Sequence, residues 1–247
     1  MNKSIALVTG ANKGIGREIA RQLTAEGHTV YVGSRDAGRG KDAVAGIGGD
    51  ARLLVIDVTD PESIAAAARQ VPALDILVNN AGVSSSERKP VTEESLDLFR
   101  RVYETNVFGV VAVTNAFLPA LRRSAHPRIV NISSGTASLA ASAGQAQGVI
   151  AFASAPSGAL GAYRSSKTAL NELTVLYANE LSEEGFKVNA LAPGARRTDL
   201  MGPGALATSP RAGDPAQGAA GAVRLALLPD DGPTGGFFSW DGTPVPW

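Results

Sequence analysis

Apolar and polar positions alternate along this chain in two rhythms. Short continuous apolar runs occur at 5–8, 29–33, 53–56, 74–78, 129–132, 188–191 and 236–240. Runs of that length, bounded by glycine or proline, predict strands buried on both faces. Amphipathic stretches lie between them. In 14–26, Ile15, Ile19 and Leu23 recur at fourfold spacing with Arg17, Glu18, Arg21 and Gln22 between them, which predicts a helix with one buried face. Pro61 opens a helix through Ala68, because proline at the first helical position loses no hydrogen bond. Helices are also predicted over 92–121, as one long segment, over 163–181 and over 215–228. This alternation predicts an α/β fold: a doubly wound parallel sheet with helices on both faces, in a single domain spanning 1–247. Two segments break the rhythm. Residues 136–162 are rich in Ala, Gly and Ser, and 194–214 hold Gly202, Pro203, Gly204 and Pro210. Long irregular segments in compact domains tend to be lids or binding loops, so both are expected to border a substrate pocket.

Composition narrows the chemistry. A chain of 247 residues with 44% hydrophobic content can bury a core without staples. It contains no cysteine, which excludes disulfides, thiolate zinc sites and a cysteine nucleophile. The two histidines, His28 and His126, are far apart in sequence, so no metal or catalytic role is expected of them. The formal net charge is zero, which gives no field to draw nucleic acid or an anionic membrane. No stretch approaches the ~20 apolar residues of a membrane span, and the first residues lack the apolar core of a signal peptide. A cytoplasmic location is expected.

The turn between the first strand and the first helix reads Thr9-Gly10-Ala11-Asn12-Lys13-Gly14-Ile15-Gly16. Glycines there permit a tight turn and let a pyrophosphate approach the helix N-terminus. Further along come Asn79-Asn80-Ala81-Gly82, Asn106, Asn131-Ile132-Ser133-Ser134, Tyr163-Arg164-Ser165-Ser166-Lys167, then Pro193-Gly194 and Thr198. In order and separation these motifs resemble the short-chain dehydrogenase/reductase family across nearly the whole chain. Gly235-Gly236-Phe237-Phe238 with Trp247 resembles its carbonyl reductase branch. The resemblance implies a Rossmann-type sheet and a catalytic set of Asn106, Ser134, Tyr163 and Lys167. It also implies cofactor contacts from Gly10, Asn12, Lys13, Gly14, Ile15, Gly16, Arg35, Asp57, Val58, Asn80, Ala81, Gly82, Tyr163, Lys167, Pro193, Gly194 and Thr198.

Tyr163 and Lys167 are four apart on a helix and share a face. An ammonium one turn away is expected to lower the phenol pKa from its ordinary value of ~10. The resemblance assigns Ser134 to the carbonyl oxygen, Tyr163 to proton transfer and Lys167 to the nicotinamide ribose. Asn106 would organise a water in a proton relay. Ser134 is chosen over Ser133 on the family pattern alone. An acid near the end of the second strand would signal NAD, and a cation NADP. Here Ser34 and Arg35 stand there, Asp36 is read as a helix cap, and the resemblance places Lys13 beside the same phosphate, so NADPH is expected over NADH.

The expected activity is reduction of a small or medium apolar ketone, aldehyde or quinone. Leu139, Val149, Phe152, Leu200, Met201 and Leu206 would line the pocket, together with residues 84–90. Two alternatives stay open: a catalytically silent NADP(H)-binding sensor or scaffold, and an alcohol dehydrogenase running oxidatively. The resemblance also bears on assembly. Family tetramers often have a short connection between the catalytic serine and tyrosine, whereas here residues 135–162 intervene. That insertion leans the expectation to a monomer.

Overall fold

Leu7 faces one side of its strand, while Ala6 and Val8 face the other; all three are fully buried. This is the local signature of a sheet covered on both sides. The computed structural model describes residues 3–85, 89–145, 160–200, 202 and 212–247. Seven strands form one parallel sheet: β1 (Ile5–Val8), β2 (Thr29–Ser34), β3 (Ala51–Val55), β4 (Ile76–Asn79), β5 (Arg128–Ile132), β6 (Lys187–Ala192) and β7 (Phe237–Ser239). Their spatial order is β3-β2-β1-β4-β5-β6-β7. The chain reverses its direction of winding between β1 and β4, and in such sheets ligands bind at the carboxyl ends of the strands beside that switch.

Each face has its own core. Ile19, Leu23, Val30, Val78, Val130 and Ala222 belong to one, built with helices α1 (Gly14–Ala25), α2 (Ala37–Ile47) and α8 (Pro215–Ala226). Leu7, Ile64, Leu77, Phe117, Leu121 and Phe186 belong to the other, built with α3 (Pro61–Gln70), α5 (Gly109–Leu121) and α7 (Gly161–Glu180). Aspartates at three helix starts take backbone N–H groups: Asp36 from Arg39, Asp60 from Glu62 and Asp214 from Ala216.

The long helix expected over 92–121 is divided. A 3₁₀ turn covers Val91–Glu93, and Ser95 caps α4 (Leu96–Tyr103). A π turn (Glu104–Phe108) then joins α4 to α5. The π turn brings the Asn106 side chain inward, fully buried. Such single π turns recur at functional sites. Within the irregular segment after β5, Gly135–Ala137 forms a 3₁₀ turn and Leu139–Ser142 a one-turn helix, α6. Val149, Phe152, Met201 and Leu206 lie outside the described residues.

Candidate active site

The Thr9 hydroxyl accepts the backbone N–H groups of Asn80 and Ala81, at 3.0 Å each, while the Asn80 amide donates to the carbonyls of Thr9 and Gly10. These bonds lock the turn after β1 to the end of β4. Gly10 and Gly14 have positive φ (63° and 58°). A Cβ on Gly16 would lie 2.3 Å from the Asn80 amide nitrogen. The turn is therefore closely packed against its neighbour, and α1 starts at Gly14 without a side-chain cap from Lys13. The first N–H groups of a helix need external acceptors.

A cleft of about 490 Å³ begins there. Gly10, Asn12, Lys13, Ile15, Gly16, Arg35, Asp57, Val58, Asn80, Ala81, Gly82, Pro193 and Thr198 line it, and it reaches Tyr163 and Lys167. Gly14 and Gly194 border it through their neighbours: a Cβ on Gly14 would meet the Thr198 methyl at 3.3 Å, and Gly194 (φ 74°) follows Pro193. The cleft also takes in Ser34 and Arg39. Arg39 was not singled out from the sequence, although it lies only four residues after Arg35, in the first turn of α2. Ser34 is buried and donates to the Asp36 carbonyl at 2.7 Å. Asp36 caps α2 and sits 3.6 Å from Arg39 Nε, and chiefly its hydrogen bond from the Arg39 N–H holds its carboxyl below the usual range. Asp57 is pushed up by burial, but bonds from the Thr59 N–H and hydroxyl and the Arg35 charge leave it lowered on balance. These residues suit a dinucleotide: the helix N–H groups that no side chain caps would take its phosphates, and Lys13, Arg35 and Arg39 would supply positive charge.

Tyr163 and Lys167 lie at the far end, 9% and 5% exposed. The Ser134 side chain acts on the Tyr163 hydroxyl and opposes the effect of burial on it. Ser134 Oγ lies 2.9 Å from Thr136 Oγ1 and accepts the Thr136 N–H at 3.3 Å. Ser133 instead turns inward and donates to Asn171 at 2.6 Å. Only the second serine thus meets the phenol. Burial pushes the Tyr163 phenol up to about 12, with the Ser134 hydrogen bond opposing. Burial pulls the Lys167 ammonium down to about 8. The expected lowering of the tyrosine by the lysine is therefore corrected. Lys167 Nζ donates to the Ile132 carbonyl at 2.7 Å and sits 6.0 Å from the Tyr163 ring centroid, so desolvation prevails.

Asn106, for which the resemblance implies a part in a water relay, makes three direct side-chain bonds. Its Oδ1 accepts the Val83 N–H at 2.9 Å, and its Nδ2 donates to the Val83 carbonyl and to Ser166 Oγ. The side-chain amide is thus committed to pinning the loop after β4 against α7. The histidines stay out of the cleft lining: His28 Nδ1 accepts the Ser4 N–H, and His126 pairs with Asp230. Among the described residues no cluster of side chains could hold a metal, and no helix is long and apolar enough to cross a membrane.

Residues 4–205 match the family described as short chain dehydrogenase. The chain belongs to the short-chain dehydrogenase/reductase family. It is 38% identical to the short-chain dehydrogenase/reductase ATR10 of Stachybotrys chlorohalonatus, over 97% of this chain and 89% of that one. It is 33% identical to the (+)-neomenthol dehydrogenase of Arabidopsis thaliana, over 95% of each. The crystal structure of NADPH-bound carbonyl reductase from chicken fatty liver superimposes with a TM-score of 0.83 at 28% identity, covering 100% of both chains. As a short-chain dehydrogenase/reductase, the protein is an oxidoreductase that acts on a small-molecule substrate with a nicotinamide cofactor.

Proposed function

We propose that this short-chain dehydrogenase/reductase reduces the carbonyl of a small or medium apolar ketone, aldehyde or quinone to an alcohol, using NADPH. The observation that carries the reading is the buried Tyr163, with Ser134 acting on its hydroxyl and Lys167 Nζ 6.0 Å from its ring centroid, in a cleft that Lys13, Arg35 and Arg39 also line. NADPH supplies the hydride when bound. Ser134 holds the substrate oxygen and stabilises the negative charge that grows on it. Tyr163 gives that oxygen its proton. A phenol held at about 12 is fully protonated at neutral pH, and an alkoxide is a stronger base than phenolate, so the proton moves to the substrate. Lys167, charged below about pH 8, would hold the nicotinamide ribose hydroxyls. Asn106 keeps Val83 and Gly82 in place beside Lys167.

NADPH is favoured over NADH by the end of β2. No carboxylate occupies the Ser34 position, and Asp36 is engaged as a helix cap. A 2′-phosphate is supported by Arg35, Arg39 and Lys13, which line the cleft, with Lys13 also pairing with Asp199 at 3.2 Å. An apolar substrate is supported by Leu200, which lines the cleft at 38% exposure, and by Leu139, exposed one element beyond Ser134. The name of the Arabidopsis relative, a neomenthol dehydrogenase, fits a substrate of that size and polarity. The test is cofactor oxidation across a panel of carbonyls, with NADPH and NADH side by side. The proposal expects turnover with apolar carbonyls and a preference for NADPH. A chain that binds NADPH and turns over no carbonyl would be a sensor instead.

A further inference from the structure

Helix α7 carries the proposed acid in its first turn but brings no cap of its own. Its preceding residue, Leu160, sits at φ 70° and offers no side-chain hydrogen bond. The first two N–H groups of the helix are satisfied from a distant part of the chain. Glu94 Oε1 accepts from Gly161 at 3.0 Å, and Glu94 Oε2 accepts from Ala162 at 2.7 Å. A Cβ on Gly161 would lie 2.5 Å from a Val91 methyl and 3.3 Å from Glu94 Oε2, so the Val91–Glu94 turn rests directly on the start of the helix. Tyr163 is the next residue after that carboxylate clamp.

We propose that Glu94 is a positioning residue for Tyr163: as a cap supplied from outside the helix, it sets the first turn of α7 and so the placement of the phenol against Ser134. The inference rests on the reductase reading for its catalytic consequence, while the placement itself can be read without turnover. Two charge-assisted bonds to adjacent N–H groups fix both the height and the rotation of a helix start. Without them, Gly161 and Ala162 lose their acceptors, and the first turn is free to fray. The mechanism needs Tyr163 and Ser134 on the same oxygen atom, so a small displacement costs rate without touching the cofactor contacts at α1 and β2. Glu94→Gln keeps the shape and one acceptor; Glu94→Ala removes both.

The experiment uses the full chain labelled with ¹³Cζ-tyrosine, with the Tyr163 resonance assigned from its loss in Tyr163→Phe. Glu94→Gln should move the Tyr163 resonance while those of Tyr31 and Tyr177 stay. Its kcat should fall, and that of Glu94→Ala should fall by about tenfold, with the NADPH dissociation constant within about twofold of the parent. The loss should vanish when Glu94→Ala is combined with Tyr163→Phe, since the effect acts through the phenol. An unmoved Tyr163 resonance in folded Glu94→Gln overturns the proposal, and so does an undiminished kcat in both variants. An equal further loss of residual turnover in the Tyr163→Phe background also overturns it. Should the parent show no turnover with any carbonyl, the reductase reading fails by itself and the resonance still decides the placement.

Discussion

Tyr163 and Lys167 lie one helical turn apart, yet burial drives them in opposite directions. The phenol rises to about 12 and stays protonated, and the ammonium falls to about 8. Tyr163→Phe removes only the hydroxyl, so turnover should drop by about 10²–10⁴-fold with NADPH binding retained; the measurements are kcat and cofactor titration. If charged Lys167 holds the nicotinamide ribose, the rate of reduction should fall as pH rises through about 8. A profile flat to pH 10 would remove the lysine from the mechanism. Stability should respond with the opposite sign. Between about pH 8 and 10.5 the unfolded chain holds a proton that the folded lysine has lost, so folding is favoured as pH rises. Relative to Lys167→Met, the parent should gain roughly 3 kcal/mol across that window, measured by denaturant unfolding. At the other end of the cleft, Arg35→Asp should shift the ratio of kcat/KM values from NADPH towards NADH, by replacing a phosphate partner with an acceptor for a ribose hydroxyl. An unchanged ratio would make Arg35 a surface residue.

At the scale of elements, the strand-turn-helix around 9–16 can be tested by crowding. Gly16→Ala places a methyl 2.3 Å from Asn80 Nδ2 and 2.8 Å from the Gly10 carbonyl. It should cost about 1–3 kcal/mol of stability and weaken NADPH binding as the turn shifts. Asp36→Ala should lower Tm by uncapping α2 and leave the cofactor preference alone; a swing towards either cofactor would show Asp36 to be a ligand. Elements with a strong period were legible in the sequence, α1 and the central strands above all. Helix α2 was signalled only by its cap, because its inner face is made of the small Gly40 and Ala43 with Val44 and Ile47 only partly buried. The π turn at 104–108 was hidden in the expected helix, since apolar spacing does not register one extra residue in a turn. The motif residues of the site were legible because glycine, asparagine and the tyrosine–lysine spacing are local. Their supports were not. Thr136 beside Ser134, Arg39 at the end of the cleft and Glu94 beneath α7 matter through contacts that only the folded chain brings together.

At the scale of the molecule, the two edges of the sheet differ. Strand β3 is short and half exposed, with Arg52 on its surface. Strand β7 is followed by a return of the chain: Ser239 donates to the Thr243 carbonyl and Val245 to the Phe237 carbonyl. Trp247 then stacks on Phe237, ring centroids 5.3 Å apart, and its carbonyl accepts the Ala140 N–H at 2.9 Å. A strand edge occupied by its own chain is closed to a second subunit, which fits the monomer expected from the 135–162 segment. Light scattering at micromolar concentration should give the mass of one chain; a mass near four chains would refute it. The base of the 194–214 segment is also tied down. Buried Arg196 lies 4.5 Å over the Trp240 ring and bonds Gln217, while Gly213 pairs with the backbone on either side of Arg196. The central claim is that the cleft delivers hydride from NADPH to a carbonyl while Tyr163 donates the proton. The direct measurement uses NADPH deuterated at the transferring position, an apolar ketone, and the parent beside Tyr163→Phe. The account predicts deuterium at the carbinol carbon with the parent, and almost none with a variant that binds NADPH equally well. Equal deuterium transfer by both proteins, or none by the parent across the whole carbonyl panel, would contradict it.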